Sequence, residues 1–157
     1  SVVDMSVETM ARLYELKNIA GVKDATADLN RVDQQLKKMG QEFIQLSGED
    51  ATALEFNMRG GVGCISVTAN VAPKLCSEFQ EASLNKNNSN LISKAKEINH
   101  KLMPLHKALF IESNPSPVKY AAKLLNLCED DVRLPLVKVT NNTKEIVKKA
   151  LQSAKLI

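Results

Sequence analysis

Residues 18–26 read Asn-Ile-Ala-Gly-Val-Lys-Asp-Ala-Thr, a short apolar run that closes on a single cation, Lys23. A brief apolar run bounded by polar residues is typical of a buried strand in a parallel sheet, so we predict a strand over residues 19–22 that ends at Lys23. Parallel α/β folds keep their functional groups beyond this end of a strand. A desolvated lysine amine there loses its proton more easily and becomes a nucleophile toward carbonyl carbon. The simpler interpretation, which this segment alone favours, is a solvated surface lysine.

Helices and strands alternate around this segment. The predicted elements are a helix over 7–16 capped by Ser6, the strand ending at Lys23, a helix from about 28 to the stop at Gly40, a strand over 43–47, a helix over 50–58 capped by Asp50, a strand over 62–67, and a helix that begins near Pro73. Successive strand–helix units with a period of about 20 to 25 residues indicate a parallel sheet with helical crossovers.

The chain changes character after residue 84. Residues 85–90 read Asn-Lys-Asn-Asn-Ser-Asn, a polar turn, and the apolar residues beyond it recur at helical spacing without a clear strand. Pro117 is well placed to open a helix, and Pro135 interrupts the chain again. We therefore predict an α/β part over residues 1–86 and an all-helical part over residues 87–157.

The composition excludes several classes of protein. The chain has 157 residues, of which 44% are hydrophobic and 25% charged, as expected of one globular domain rather than a disordered chain. Its net charge of +3 comes from lysines scattered over helices, so nucleic-acid binding is not predicted. No apolar run approaches the roughly 20 residues that span a bilayer, and no signal peptide is recognised. The absence of an initiator methionine suggests a processed, trimmed or partial chain.

Cysteine and histidine do not form a metal-binding pattern. Cys64, Cys76 and Cys128 are odd in number and contain no CxxC pair, which indicates reduced thiols of a cytosolic protein. His100 and His106 lie six residues apart, a spacing that does not place both on one face of a helix. We therefore predict no zinc site and no other metal site.

Three parallel strands are too few for a stable sheet of this kind. A closed (β/α)8 barrel needs eight strands, and an open doubly wound sheet usually has five or more. The strand that ends at Lys23 would lack a partner on one side, although its apolar sequence calls for burial. The chain is therefore expected to be part of a larger fold or to associate with a partner that completes the sheet.

Six segments together resemble one family, the dihydrodipicolinate synthases. Three resemble its last three barrel strands: Gly-Val-Lys-Asp-Ala-Thr at 21–26, Leu-Ser-Gly-Glu-Asp at 46–50 and Gly-Val-Gly-Cys-Ile-Ser-Val-Thr-Ala-Asn at 61–70. Three are similar to its C-terminal helical domain: Leu-Met-Pro-Leu-His at 102–106, Glu-Ser-Asn-Pro-Ser-Pro-Val-Lys at 112–119 and Arg-Leu-Pro-Leu at 133–136. The resemblance implies the C-terminal part of a (β/α)8 TIM barrel, its last three strands with their helices, followed by an all-helical domain.

The resemblance implies a pyruvate-dependent class I aldolase without a cofactor. The lysine of the family's G-x-K-[DE] strand, here Lys23, forms a Schiff base with pyruvate, and the protonated imine lets the pyruvate methyl group lose a proton. The enamine then attacks aspartate semialdehyde, which leads to 4-hydroxy-tetrahydrodipicolinate, a precursor of diaminopimelate and lysine. Ile65 matches an isoleucine whose main chain lines the pyruvate site, and Gly48 a glycine that leaves room for substrate. By themselves, Ile65 fits a barrel-core residue and Gly48 a strand-ending turn.

The resemblance also implies groups that this chain does not contain. Family members carry a threonine pair that holds the pyruvate carboxylate, a tyrosine that relays protons and an arginine that binds the second substrate. These groups lie before the point where this chain starts, and Tyr14 and Tyr120 occupy non-matching positions. We therefore expect the chain to need the N-terminal half of the barrel for activity. The intact enzyme is expected to be a cytoplasmic homotetramer.

Two alternatives remain at this point. The chain could be a non-catalytic fragment that acts only as a structural or oligomerisation piece. It could also belong to a sister aldolase such as N-acetylneuraminate lyase, which shares the Schiff-base lysine. The segments at 102–106 and 133–136 favour the synthase, because they look like its tail rather than that of the lyase.

Overall fold

The computed structural model describes residues 4–157 and has an α/β fold made mostly of helices. Two compact units meet in sequence between Ile65 and Ser66. The first unit contains α1 (Val7–Tyr14), β1 (Gly21–Asp24), α2 (Asn30–Met39), β2 (Ile44–Ser47) and α3 (Ala53–Arg59). The second contains α4 (Pro73–Leu84), α5 (Ser89–Ala108), α6 (Ser116–Leu124) and α7 (Asn141–Ser153). In the described residues, no helix is both long and apolar enough to cross a membrane.

Strands β1 and β2 are parallel and are joined by the crossover helix α2. Gly21 pairs with Ile44, and the register continues to Asp24 opposite Ser47. A Cβ atom on Gly21 would overlap the carbonyl oxygen of Ile44, so the start of β1 is open to glycine alone. The predicted parallel pairing with a helical crossover is therefore present in the first unit.

The predicted third strand over 62–67 is observed as a single parallel bridge between Ser47 and Cys64. Main-chain hydrogen bonds join this segment to β2: Val62 N–H to Gln45 O at 3.0 Å, Ser47 N–H to Gly63 O at 2.9 Å, and Ile65 N–H to Ser47 O at 2.8 Å. Among residues 4–157, this segment pairs only with β2 and only over this short length, and so it does not extend into a strand. The prediction of a third strand is corrected to an extended segment with one bridge.

The boundaries of β1 also differ from the prediction. The strand begins at Gly21 rather than at residue 19, because the N–H of Ile19 closes a turn onto Leu16 O at 3.0 Å. It continues one residue beyond Lys23 to Asp24, which is buried. Lys23 therefore lies one residue before the end of the strand, and an acidic residue occupies the end itself.

Helix ends in the first unit follow local capping chemistry. Ser6 caps α1 as predicted, with its side chain accepting the N–H of Thr9 at 3.1 Å, and α2 ends as predicted at Gly40, whose φ is 83°. The predicted cap by Asp50 is wrong. Glu49 instead accepts the N–H of Ala51 at 3.2 Å, and a short 3-10 helix over Asp50–Thr52 precedes α3.

The second unit is helical and is built around α5. This helix packs against α4 and α7, and α6 also packs against α7. Fully buried leucines dominate the interior, namely Leu102, Leu105, Leu109 and Leu151. Thr68 and His106 form a buried polar contact of 2.7 Å between Oγ1 and Nδ1. Beyond residue 84 the described chain contains helices and no strand, as predicted.

A cluster of charged residues joins α6 to the segment that leads to α7. The carboxylate of Asp130 is nearly buried and accepts hydrogen bonds from Lys123 and Lys138, both at 2.9 Å. Lys123 also contacts Glu129 at 3.0 Å, and Lys138 contacts Asp131 at 2.8 Å. The hydrogen bonds from Lys123 and Lys138 lower the pKa of Asp130 from 3.8 to about 2.

Replacing Gly21 with alanine is expected to break the β1–β2 pairing, because the new methyl group would overlap main-chain atoms of Ile44 that cannot rotate away. Overpacking against a fixed backbone lowers the free energy of unfolding by about 3 kcal/mol or more. Gly63→Ala is the matched control, since its Cβ meets only the flexible end of Leu46 at 3.2 Å. Urea unfolding curves measure both, and equal losses in the two variants would contradict the assignment.

The stability of the chain is expected to fall in acid as Asp130 becomes protonated. Its folded pKa lies below its ordinary value, so the contribution of the carboxylate is complete above about pH 5. That contribution is lost as the pH falls toward about 2. The free energy of unfolding of wild type and Asp130→Asn, measured between these limits, should converge at the acid end. Parallel curves would show that Asp130 does not contribute in this way.

Candidate active site

The carboxyl ends of the parallel strands meet at one edge of the sheet. Asp24 ends β1, Ser47 ends β2 beside it, and Ile65 donates its N–H to Ser47 O at 2.8 Å. Side chains alternate across a strand, so Lys23, Leu46 and Ile65 share one face and Asp24 and Ser47 the other. The face with Lys23 is open to solvent, whereas the opposite face is buried.

Gly48 lies directly against the side chain of Lys23. A Cβ atom at position 48 would approach Cδ of Lys23 to 2.6 Å and Cβ of Ala25 to 2.8 Å, both closer than van der Waals contact. The N–H of Gly48 donates to the carbonyl of Asp24 at 2.7 Å. The missing side chain at position 48 thus makes room for the stem of Lys23, in a turn held by β1 itself.

The carboxylate of Asp24 is surrounded by hydrogen-bond donors. Oδ1 accepts the N–H of Thr26 at 2.9 Å and its hydroxyl at 2.7 Å. Oδ2 accepts Nε of Arg31 at 2.7 Å and the side-chain amide of Gln35 at 3.3 Å. Burial alone would raise the pKa of Asp24, but the hydrogen bonds from Arg31 and Thr26 outweigh it, and the net pKa lies below its ordinary value. Asp24 is therefore a stable anion inside the first unit.

Arg31 extends this network to the segment ahead of α1. Its Nη2 donates to the carbonyl of Met5 at 2.7 Å, and its Nη1 contacts the carboxylate of Asp4 at 3.3 Å. The Arg31 side chain is only 12% exposed, and its hydrogen bond to Asp24 raises its pKa. One guanidinium thus connects β1, α2 and the segment that leads into α1.

All three residues selected from the sequence belong to this edge, and Lys23 and Gly48 are in contact. Ile65 joins it through its main chain, while its side chain is 53% exposed on the Lys23 face. Asp24 and Arg31 were not selected from the sequence. The sequence offered one sign of this pair. An acidic residue directly follows the strand lysine, and an arginine stands seven positions after that acidic residue, in the first turn of α2.

The cysteines and histidines carry no metal-site geometry. Cys64, Cys76 and Cys128 form no disulfide bond within the part of the chain that the structure describes. In residues 4–157, no group of three or more histidine, cysteine or acidic residues is arranged to hold a metal ion. Lys23 brings an amine to this edge, a group that can act as a nucleophile toward a carbonyl carbon.

Lys23 thus lies near the carboxyl ends of parallel strands and against the Gly48 turn, at the edge where α/β proteins carry their functional groups. The chain belongs to the dihydrodipicolinate synthetase family, whose model matches residues 1–154. The 4-hydroxy-tetrahydrodipicolinate synthase of Pelagibacter ubique is 68% identical over all of this chain and 53% of that protein. That of Parvibaculum lavamentivorans is 60% identical over the same shares. The chain spans about half the length of the curated relatives it matches.

Solved structures of the same family have the same fold over this length. The chloride-inhibited dihydrodipicolinate synthase of Acinetobacter baumannii, complexed with pyruvate, matches with a TM-score of 0.91 and 40% identity. The match covers 98% of this chain and 52% of that one. The Aquifex aeolicus dihydrodipicolinate synthase matches with a TM-score of 0.89 and 36% identity, over 96% of this chain and 50% of the other.

Gly48→Ala is expected to displace both the stem of Lys23 and Ala25, and to lower the free energy of unfolding by about 1–3 kcal/mol. Adding Ala25→Gly removes one of the two overlaps and is expected to recover part of this loss. Urea unfolding of the single and double variants measures the effect, and a crystal structure locates Lys23. A Gly48→Ala variant as stable as wild type, with Lys23 unmoved, would contradict the packing described.

Proposed function

We propose that this chain is the C-terminal part of a pyruvate-dependent class I aldolase that makes 4-hydroxy-tetrahydrodipicolinate. Its substrates are pyruvate and aspartate semialdehyde, and the product serves diaminopimelate and lysine biosynthesis. The single observation that carries the proposal is Lys23, which lies on a parallel strand beside Gly48 in a chain that belongs to this family. The names of the relatives and the pyruvate in the Acinetobacter baumannii complex support it.

Lys23 is the proposed nucleophile. Its neutral amine attacks the keto carbon of pyruvate, and loss of water gives an imine. Protonation of the imine nitrogen makes it an electron sink, so that the pyruvate methyl group loses a proton and an enamine forms. The enamine carbon bonds to the aldehyde carbon of aspartate semialdehyde. Cyclisation through the amino group of that substrate then releases the amine of Lys23.

Gly48 and Ile65 are the proposed substrate-binding positions. Gly48 keeps the region around Lys23 free of a side chain, and its contact with the lysine stem adds a second reason for glycine there. Ile65 lies on the same face of the sheet, and we propose that its main chain lines the pyruvate site. Neither role needs a metal ion or a cofactor.

In this proposal residues 1–86 are the last part of a (β/α)8 barrel, and residues 87–157 are a C-terminal helical domain. Helix α4 then belongs to the barrel by its place in the chain, although it packs against α5. Strand β1 pairs only with β2 among the described residues, and Ile44 and Val62 are exposed. An N-terminal half, as in relatives of twice the length, would pair with β1 and cover these side chains.

The whole enzyme is proposed to be a cytoplasmic homotetramer, with the N-terminal half supplying the carboxylate clamp and the proton relay. General acid–base groups contribute roughly 10²–10⁴-fold to a rate, and positioning contributes more. We therefore propose that the 157 residues alone have little or no synthase activity. Lys23 is exposed in this chain, which supports the view that the isolated chain holds the nucleophile without a closed site.

The direct test uses a chimera, in which the part of the Pelagibacter ubique synthase that precedes the matched region is joined to this chain. The chimera and the chain alone are incubated with pyruvate, reduced with borohydride and analysed by peptide mass spectrometry. We expect one reduced pyruvate on Lys23 of the chimera, together with condensation activity at least about 10²-fold above that of the chain alone.

Lys23→Ala is expected to abolish both the adduct and the activity of the chimera. Lys17→Ala is the matched control, because Lys17 is another exposed lysine of the first unit and should not affect either measurement. An adduct that persists in Lys23→Ala would identify another lysine as the nucleophile. A folded chimera without any adduct would contradict the proposed function, and a fast reaction with N-acetylneuraminate would favour the sister lyase.

A further inference from the structure

The carboxylate next to Lys23 is held more firmly than a single ion pair would hold it. Asp24 accepts four hydrogen bonds, two from Thr26 and one each from Arg31 and Gln35, at 2.7–3.3 Å. Its side chain lies on the buried face of the sheet. The direction of the Asp24 side chain is therefore fixed by groups on α2 and in the turn that follows β1.

The main chain of Asp24 is held as well, by a hydrogen bond from the turn that follows β2. The carbonyl of Asp24 accepts the N–H of Gly48 at 2.7 Å, and position 48 lies against the stem of Lys23. A rotation of the peptide after Asp24 would therefore move the Gly48 turn. Because Lys23 is bonded directly to Asp24, a displacement of Asp24 as a whole would also displace Lys23 and change the direction in which its side chain leaves the strand.

Arg31 connects three parts of the first unit, namely β1, α2 and the segment ahead of α1. Its Nε binds Asp24, while its two Nη atoms contact the carbonyl of Met5 and the carboxylate of Asp4. A guanidinium offers several donors in a rigid plane, which a lysine ammonium cannot reproduce. The segment ahead of α1 is thus held against the end of β1 by one side chain.

We propose that Asp24 and Arg31 are positioning residues for Lys23, which fix the direction of its amine by locking the end of β1 from the buried face. The inference rests on the proposed function, in which Lys23 forms the imine. Alternation along β1 places the Asp24 side chain on the face opposite to Lys23, so it does not touch a substrate bound to that lysine. Asp24 instead acts on Lys23 through the main chain that joins the two residues.

Such a role is measurable because imine formation depends on the angle and distance of attack. A misplacement of about 1 Å can cost on the order of 10²-fold in rate. The chimera carries Asp24→Asn, which keeps the shape of the side chain but removes its charge, or Arg31→Lys, which keeps a charge but loses the planar donors. We expect the rate of pyruvate trapping on Lys23 to fall at least about tenfold in each, and kcat to fall more than KM for pyruvate changes.

Asp33→Asn is the matched control on the same helix. Asp33 accepts a hydrogen bond from Nη1 of Arg59 at 2.7 Å, and both side chains of this pair are exposed, unlike those of Asp24 and Arg31. Its loss should leave the trapping rate within about twofold of wild type, as for most surface ion pairs. All rates are measured below the unfolding transition of each variant and are expressed per folded molecule.

A purely structural role would lower the unfolding temperature and leave the trapping rate per folded molecule unchanged, and that result would overturn the inference. If Asp24→Asn does not fold, Arg31→Lys decides by the same criterion. A wild-type chimera without an adduct on Lys23 would overturn the proposed function and this inference together. A wild-type adduct with variants that react at the wild-type rate would overturn this inference alone.

Discussion

The burial of one carboxylate, that of Asp24, organises the first unit. A buried charge without partners costs several kcal/mol, so the chain must bring donors to it. Those donors come from the turn after β1 and from α2, and Arg31 on α2 also donates to the carbonyl of Met5 in the segment ahead of α1. Each of these parts is short and has little stability as an isolated element. Their common anchor is what gives the end of β1 one defined position, and Lys23 lies directly before it.

Two glycines complete this arrangement by allowing close approach. Gly21 lets the start of β1 meet the main chain at Ile44, and Gly48 lets the turn after β2 meet the stem of Lys23. The first contact fixes the register at one end of the strand pair, and the second fixes the surroundings of the lysine at the other. The polar network on the buried face and the small residues on the open face therefore act on the same short strand.

The sequence predicted the order of helices and strands and the parallel pairing, because these follow from periodicity and strand order. The family resemblance selected Lys23 and Gly48, but no pattern in the sequence predicted that the two residues lie against each other. Nor did the sequence predict Asp24 as the end of β1, since burial of a charge depends on an arginine brought close by the fold. The prediction of a third strand was wrong for a related reason, since it too depended on neighbours in space. Apolar sequence at 62–67 favours a strand, but pairing needs partners, and within the described residues this segment pairs only with β2.

The open face of the two-stranded sheet has a practical consequence for the isolated polypeptide. Ile44 and Ile65 expose apolar side chains on this face, and the edge of β1 away from β2 is unpaired among the described residues. Such an edge is a template for another strand, and exposed apolar surface adds attraction between copies. The extent to which copies of the isolated chain associate therefore depends on its concentration. The apparent molar mass of the isolated chain from light scattering should increase with concentration, so self-association limits how concentrated this polypeptide can be kept.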